Sequence, residues 1–193
     1  MKIGLYFGSF NPVHIGHLII AEHVLTHTDF QQVWFVISPQ NPFKEKSTLL
    51  NEYDRLHLLN LSIKDNHRLK VSDVEFKLPK PSYTVTTLAY LKEKYPQHSF
   101  SIIIGSDSFK NLNKWKNFEH LISQTDFVVY KRPGFEISQN NVQGDIKFKV
   151  LENAPVLDIS ATYIRNCIKQ RKSIRYLVHE EVYKEIETNR YFY

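Results

Sequence analysis

The stretch Gly4–His17 constrains the fold more than any other part of the sequence. The apolar run that ends at Phe7 is short and rich in strand formers, whereas the apolar spacing after Pro12 is helical. Gly8 lies between these two patterns, where the lack of a side chain lets the chain turn and lets a ligand approach the backbone. The stretch therefore predicts a buried strand, a tight turn and the start of a helix.

Two histidines mark the start of this predicted helix. His14 and His17 are three residues apart and share one helical face, and Gly16 between them adds no side chain that would crowd a ligand. A helix N-terminus that follows a strand offers backbone N–H groups and a positive dipole potential. The pair therefore indicates a site for phosphate oxygens. A zinc pair is disfavoured because the sequence has one cysteine and no H-E-x-x-H motif.

Strands and helices alternate along the chain, which predicts an α/β fold. We expect a doubly wound, mostly parallel sheet of five to six strands with helices on both faces. The predicted strands are 3–7, 32–37, 69–74, 100–104, 126–130 and 148–151. The predicted helices are 15–26, 49–63, 83–95, 161–169 and 180–188, and segment 133–144 is predicted to be a loop. We expect one domain over residues 1–193, with a small helical part from about residue 161.

Residues suited to ligand binding follow the predicted strands. They form four groups, at 8–17, 39–46, 105–107 and 158–165. In open α/β sheets, ligands bind outside the carboxyl ends of the strands where the strand order reverses. We therefore expect the groups to converge on a single pocket. The hypothesis fails if His14 or His17 lies across the sheet from Arg165.

The first and last of these groups carry the main resemblance to a known family. G-S-F-N-P-V-H-I-G-H at 8–17 resembles the H-x-G-H signature of nucleotidyltransferases and, in this fuller form, the first motif of the bacterial nicotinate-nucleotide adenylyltransferases. I-S-A-T-Y-I-R at 159–165 resembles the family's I-S-S-T-x-I-R motif, with Ala161 at the middle serine. Ser160 or Thr162 can cap a helix there, and the forked guanidinium of Arg165 can reach the same end.

Further segments resemble later motifs of the family, so the resemblance extends over residues 1–193. P-Q-N-P-F-K at 39–44 resembles the segment after the second strand, with Phe43 where histidine is common. P-S-Y-T-V-T-T-L at 81–88 resembles the segment that faces the pyridine ring and its carboxylate in relatives. Gly105-Ser106-Asp107 followed by Trp115 resembles I-G-x-D … K-W, and K-R-P-G at 131–134 resembles a late turn.

The resemblance implies a Rossmann-like nucleotidyltransferase with a pocket in two halves. The catalytic residues would be His14, His17 and Arg165, and the ATP half would add Gly8, Ser9, Phe10, Gly105, Asp107, Ser160 and Thr162. The mononucleotide half would contain Ser9, Lys44, Tyr83, Thr84, Thr87, Trp115 and Arg132. In this scheme Lys44 and Arg132 meet phosphate, Trp115 stacks on the cationic pyridinium, and Asp107 accepts hydrogen bonds from ribose.

The implied reaction is adenylyl transfer from ATP to nicotinate mononucleotide, which gives nicotinate adenine dinucleotide and pyrophosphate in NAD biosynthesis. The attacking phosphate has a second pKa of about 6 and is ionised at pH 7, so no general base is needed. Mg²⁺ would be carried by the ATP phosphates, without a dedicated metal site on the protein. The alternatives are another H-x-G-H transferase, such as phosphopantetheine adenylyltransferase, or a non-catalytic nucleotide-binding module.

Composition indicates which kinds of ligand the protein binds and in which cellular compartment it works. The formal net charge of +5 suggests an anionic partner, but the basic residues are spread along the chain apart from a cluster at 169–175 that is typical of a solvated helix end. We therefore expect nucleotides as partners and no nucleic acid. The longest apolar runs are too short to span a membrane, and the single Cys167 suits a reducing cytoplasm. The sequence leaves the oligomeric state open, a homo-oligomer included.

Overall fold

The computed structural model describes residues 1–40, 49–137 and 144–193. Its strands are β1 (Lys2–Gly8), β2 (Gln32–Ile37), β3 (Leu69–Ser72), β4 (Ser99–Gly105), β5 (Asp126–Tyr130) and β6 (Phe148–Leu151). Its α-helices are α1 (Ile15–His27), α2 (Glu52–Ile63), α3 (Thr84–Lys94), α4 (Ser106–Phe109), α5 (Phe118–Gln124), α6 (Ala161–Lys169) and α7 (Glu180–Asn189). Two 3₁₀ helices lie at Val74–Lys77 and Leu112–Lys114.

The six strands form one sheet in the order β3-β2-β1-β4-β5-β6, and each neighbouring pair is parallel. The chain builds the sheet outward from β1 to β3 on one side and then returns to place β4 on the other side of β1. The strand order therefore reverses between β1 and β4, which opens a crevice at their carboxyl ends. The predicted doubly wound parallel sheet is confirmed.

Alternate residues of the strands supply two separate cores. In β1, Ile3 and Leu5 belong to the cluster that α3 and α5 cover, whereas Tyr6 belongs to the cluster on the opposite face. The second cluster joins α1, α2, α6 and α7, so the C-terminal helices pack on the same apolar surface as the first two. Fully burying one such aliphatic side chain contributes about 1.5–3 kcal/mol to the free energy of unfolding. Helices on both faces are thus confirmed.

Several predicted boundaries differ from the structure, and at α2 local capping is the reason. Helix α2 begins at Glu52 rather than at residue 49, since Asn51 caps it by accepting a hydrogen bond from the amide of Tyr53 at 2.9 Å. Strand β3 ends at Ser72, and the 3₁₀ turn Val74–Lys77 follows it. Helices α4 and α5 were not predicted, because segments of four and seven residues are too short to show a helical period.

The described ranges contain no helix that is long and apolar enough to cross a lipid bilayer.

Candidate active site

A cavity of about 880 Å³ opens at the carboxyl ends of β1 and β4, where the strand order reverses. Most of the predicted site residues line it: Gly8, Ser9, Phe10, His14, His17, Tyr83, Thr84, Gly105, Asp107, Trp115, Arg132, Ser160, Thr162 and Arg165. The structure therefore brings together three of the four groups that follow the strands. The fourth group, at 39–46, lies largely outside the described residues, and Lys44 and Phe43 are part of it.

The two histidines sit at the start of α1 with their rings stacked. His14 is the N-cap residue and His17 lies in the first turn, and the ring centroids are 3.6 Å apart. The backbone amide of His14 donates a hydrogen bond to Nδ1 of His17 at 3.2 Å. Because Nδ1 is the acceptor, a neutral His17 ring carries its proton on Nε2. His17 is therefore prepared as a hydrogen-bond donor.

His14 is electrically neutral near pH 7. Its side chain is only 5% exposed, and burial lowers its pKa to about 4, with the nearby positive charge of Arg132 adding to the effect. Its Nδ1 is buried against the first turn of α1, where it faces the backbone amide of His17 in a capping-box arrangement without a hydrogen bond of ordinary geometry. The negative charge of a phosphate bound beside the ring would raise the pKa of His14.

Two glycines of the first motif leave room for rings of that same motif. A Cβ atom on Gly16 would lie 3.1 Å from Nδ1 of His14. A Cβ atom on Gly8 would lie 2.8 Å from the ring of Phe10, which is itself buried and left-handed with a φ of 45°. Both spaces were expected to serve a ligand. The structure shows that they first allow the imidazole and phenyl rings to reach their places.

Arg165 joins the two motifs, although they lie far apart in the sequence. Its Nη1 donates to the carbonyl oxygen of Asn11 at 2.8 Å, a residue 154 positions away, and its Nη2 donates to Oγ1 of Thr162 at 3.2 Å. Ser160 caps α6 by accepting a hydrogen bond from the amide of Tyr163 at 3.1 Å. His14, His17 and Arg165 therefore face one cavity on the same side of the sheet, as predicted.

A buried arginine fixes the loops that frame this cavity. Arg55 of α2 is fully buried and donates to the carbonyl oxygens of Ser9 at 2.7 Å and Ser38 at 2.9 Å. It also donates to the carbonyls of Leu50 and Pro39. Burial lowers its pKa to about 10, so the guanidinium remains charged at neutral pH. The loops after β1 and β2 are thus held by one side chain, which the sequence did not single out.

Another arginine of the cavity wall, Arg132, is held by a tyrosine and an aspartate. Arg132 donates from Nη2 to Oη of Tyr130 at 3.1 Å, and Tyr130 in turn accepts from Tyr6 at 3.1 Å. The carboxylate of Asp107 lies 3.5 Å from Nε of Arg132. A Cβ atom on Gly105 would lie 2.5 Å from that carboxylate, so this glycine is needed for the pair to form.

The opposite half of the cavity contains a helix N-terminus and an indole ring. Helix α3 begins at Thr84, with Tyr83 as its N-cap residue, and both residues line the cavity together with Trp115. The ammonium group of Lys116 lies 4.2 Å from the ring centroid of Tyr83. A flat indole and a helix N-terminus together suit a cationic ring that carries an anionic group.

Thr87 does not line the cavity, in contrast to its predicted role. It is fully buried, and its hydroxyl donates to Oε1 of Glu75 at 2.8 Å. Glu75 does line the cavity, so Thr87 supports the wall from behind.

Several other lining residues were not predicted: Tyr6, Ser38, Glu75, Ser82, Lys114, Lys116 and Tyr130. Ser82 lies within the motif at 81–88 and could have been included. Glu75 follows the short strand β3 in a 3₁₀ turn and carries no sequence signal.

The switch-point cavity, with its stacked histidines and with Arg165 of α6 bonded to the loop after β1, defines a nucleotidyltransferase of the H-x-G-H class. The profile of the cytidylyltransferase-like family matches residues 5–167. The chain is 51% identical over 192 residues to a probable nicotinate-nucleotide adenylyltransferase of Cytophaga hutchinsonii, covering 100% of this chain and 98% of the relative. The corresponding protein of Flavobacterium psychrophilum is 47% identical, with 100% and 99% covered. This chain belongs to the nicotinate-nucleotide adenylyltransferase family.

Solved structures agree on the fold. The nicotinic acid mononucleotide adenylyltransferase of Plasmodium falciparum, complexed with NaAD, superposes with a TM-score of 0.83 at 20% identity. The match covers 99% of this chain and 97% of that one. The same arrangement of strands and helices is therefore retained at low sequence identity.

Proposed function

We propose that this enzyme transfers the adenylyl group of ATP to nicotinate mononucleotide and releases pyrophosphate. One observation carries the proposal: His14, His17 and Arg165 face the same cavity as Trp115 and the N-terminus of α3. The first three residues suit a triphosphate, and the other two elements suit a pyridine ring with a carboxylate. The names of the relatives at 47–51% identity support the same substrates.

The chemical step needs positioning and charge stabilisation more than proton transfer. The phosphate of the mononucleotide attacks the α-phosphorus of ATP, and the bond from that phosphorus to the bridging oxygen of pyrophosphate breaks. His17 and His14 donate hydrogen bonds to phosphate oxygens as negative charge builds up. Arg165 and the N-terminus of α6 hold the β- and γ-phosphates. Such prearranged donors stabilise the transition state because they need not reorganise during the reaction.

Mg²⁺ would neutralise part of the triphosphate charge when it enters on ATP. The phosphate side of the cavity presents imidazole, guanidinium and hydroxyl groups and, among the described residues, a single carboxylate, Asp107, which is paired with Arg132, whereas Mg²⁺ prefers oxygen ligands and retains several water molecules. This donor set fits an ion that the phosphates carry. In the described ranges, no group of three or more His, Cys, Asp and Glu side chains is arranged to hold a metal ion.

The remaining expectations belong to the same proposal. We infer a single domain over residues 1–193, because α6 and α7 share their apolar cluster with α1 and α2. We also place the reaction in the cytoplasm, where ATP is available and where the buried thiol of Cys167 would stay reduced. Nucleic acid is not expected as a partner, and a homo-oligomer is compatible with the proposal.

Release of pyrophosphate tests the proposed function directly. The full-length chain is incubated with ATP, Mg²⁺ and nicotinate mononucleotide, nicotinamide mononucleotide or phosphopantetheine, and kcat/KM is compared among the three acceptors. We expect the highest value for nicotinate mononucleotide. Turnover confined to phosphopantetheine, or no turnover with any acceptor, would overturn the proposal in favour of another transferase or a non-catalytic nucleotide-binding protein.

A further inference from the structure

Glu75 is a buried carboxyl group in the wall of the mononucleotide half. It lies in the 3₁₀ turn after β3 and is only 1% exposed, yet it lines the cavity next to Ser38, Ser82 and Tyr83. Its position places it between the end of β2 and the start of α3. The mechanism described above does not use this group.

The partners of Glu75 are hydroxyl groups. Thr87 donates to its Oε1 at 2.8 Å, while its Oε2 is buried without a hydrogen bond of ordinary geometry from the described residues. Across those residues, no lysine, arginine or histidine forms an ion pair with it. Burying an ionised carboxylate without a cation costs several kcal/mol, which the neutral acid avoids. Burial accordingly raises the pKa of Glu75, against smaller opposing effects of the Thr87, Ser38 and Ser82 hydroxyls.

The charge of Glu75 matters because of its place beside α3. This helix has 11 residues, and its positive end faces the cavity at Thr84. Thr87, the partner of Glu75, lies in the first turns of the same helix. An ionised Glu75 would offset the positive potential that an anionic ligand group needs there. It would also repel that group through the cavity wall, since nearby like charges disfavour each other's ionised form.

We propose that Glu75 is held as a neutral carboxylic acid, and that its neutrality sets the preference of the pocket for an anionic over a neutral pyridine substituent. This inference rests on the proposed function and names a positioning residue for its selectivity. A neutral Glu75 leaves the helix end available to the carboxylate of nicotinate. An ionised Glu75 would instead lower the potential at the helix end and remove the advantage of a carboxylate over the neutral amide of nicotinamide.

The test compares the wild-type enzyme with Glu75→Gln, which keeps the shape but cannot ionise. Glu93→Gln is the matched control, because Glu93 is an exposed residue of α3. For each protein, the ratio of kcat/KM for nicotinate mononucleotide to kcat/KM for nicotinamide mononucleotide is measured from pH 6 to 9. We expect the ratio to fall about tenfold or more with rising pH in wild type and in Glu93→Gln, which corresponds to roughly 1.4 kcal/mol of lost discrimination. We expect it to change at least threefold less in Glu75→Gln.

The difference between the variants isolates Glu75 from the other ionisable groups of the cavity. These groups are the same in all three proteins: Tyr6, His14, His17, Tyr83, Asp107, Lys114, Lys116, Tyr130, Arg132 and Arg165. Lys44 lies outside the described residues and is also unchanged. A parallel fall in wild type and Glu75→Gln would overturn the proposal, as would a large gain in nicotinate preference in Glu75→Gln at pH 6.

Infrared spectroscopy gives a second, activity-independent measurement. We expect wild-type protein without ligand at pH 6 to show the carbonyl band of a protonated carboxylic acid that is missing in Glu75→Gln. If the glutamine variant does not fold, the titration of this band in the wild-type protein tests whether a buried carboxylic acid is protonated at pH 6. A carboxylate signal alone at pH 6 would overturn the proposal. Absence of turnover with both mononucleotides would refute the proposed function but leave this spectroscopic result valid.

Discussion

The two halves of the cavity are built in different ways. The phosphate half consists of the first turn of α1 and the start of α6, and its charged donors come from two short motifs. The pyridine half is assembled from the end of β2, a 3₁₀ turn, the N-terminus of α3 and the segment around Trp115. Contiguous motifs thus build the proposed phosphate site, whereas the proposed pyridine site depends on how separate elements pack together.

The halves also differ in how they handle charge. In the phosphate half, His14 is kept neutral by burial and by Arg132, while Arg165 stays charged and bridges both motifs. In the pyridine half, the buried acid Glu75 is supported by hydroxyl groups. Mutations in the first half should therefore act mainly on the rate of the chemical step, and those in the second on mononucleotide binding.

The largest effect is expected for His17→Ala. Removing one donor to developing charge typically costs about 10²–10³ in kcat, and the KM for the mononucleotide should change much less. His27→Ala is the control, because His27 is an exposed histidine of the same helix. Steady-state kinetics with pyrophosphate detection provides the measurement. A His17→Ala enzyme with near-normal kcat would remove the basis for calling this half catalytic.

The next largest effect is expected for Arg165→Lys. The guanidinium contacts both Asn11 and Thr162 and can still meet phosphate with its fork, whereas a lysine offers a single charged point. We expect kcat/KM for ATP to fall by about 10- to 100-fold, in line with the loss of a charge-assisted hydrogen bond. Arg171→Lys, an exposed change just after α6, should have no effect. Equal losses for the two variants would contradict a special role for Arg165.

Trp115→Ala tests the pyridine half of the cavity. Loss of cation–π stacking and contact area should raise the KM for nicotinate mononucleotide by about tenfold. In a desolvated site the cation–π contribution to the binding free energy reaches about 2 kcal/mol. Trp115→Phe keeps a ring and should cause a smaller increase. The KM for ATP is the internal control and should change little. If both KM values rise together, Trp115 supports the whole cavity rather than the pyridine half.

The smallest effect concerns stability in acid. The pKa of His14 is lowered from 6.5 to about 4 in the folded chain, so this neutral ring favours folding above pH 6.5 and loses that contribution as pH falls towards 4. At pH 5.5 the free energy of unfolding is lower by about 1 kcal/mol because of this one ring. His14→Gln should therefore lose less stability than wild type between pH 7.5 and 5.5, as measured by urea unfolding. Parallel losses in both proteins would mean that His14 is not buried as a neutral ring.

Much of the fold could be predicted because its signals are local. The apolar runs of β1, β2 and β4 and the helical spacing of α1 are present in short windows, and each window has one stable way to bury its apolar residues. The elements between β4 and β5 were missed, since α4 and α5 are too short to carry a period and depend on packing. The early end of β3 was missed for the same reason.

The sequence by itself determined the phosphate half, because His14, His17 and Arg165 belong to motifs whose residue types and spacing specify anion-binding chemistry. It could not indicate that Gly16 makes room for the ring of His14, that Arg55 holds two loops, or that Thr87 stands behind Glu75. These relations join residues that are distant in sequence or that depend on side-chain direction. Only tertiary packing decides them, because burial and the local dielectric exist only once the elements have come together.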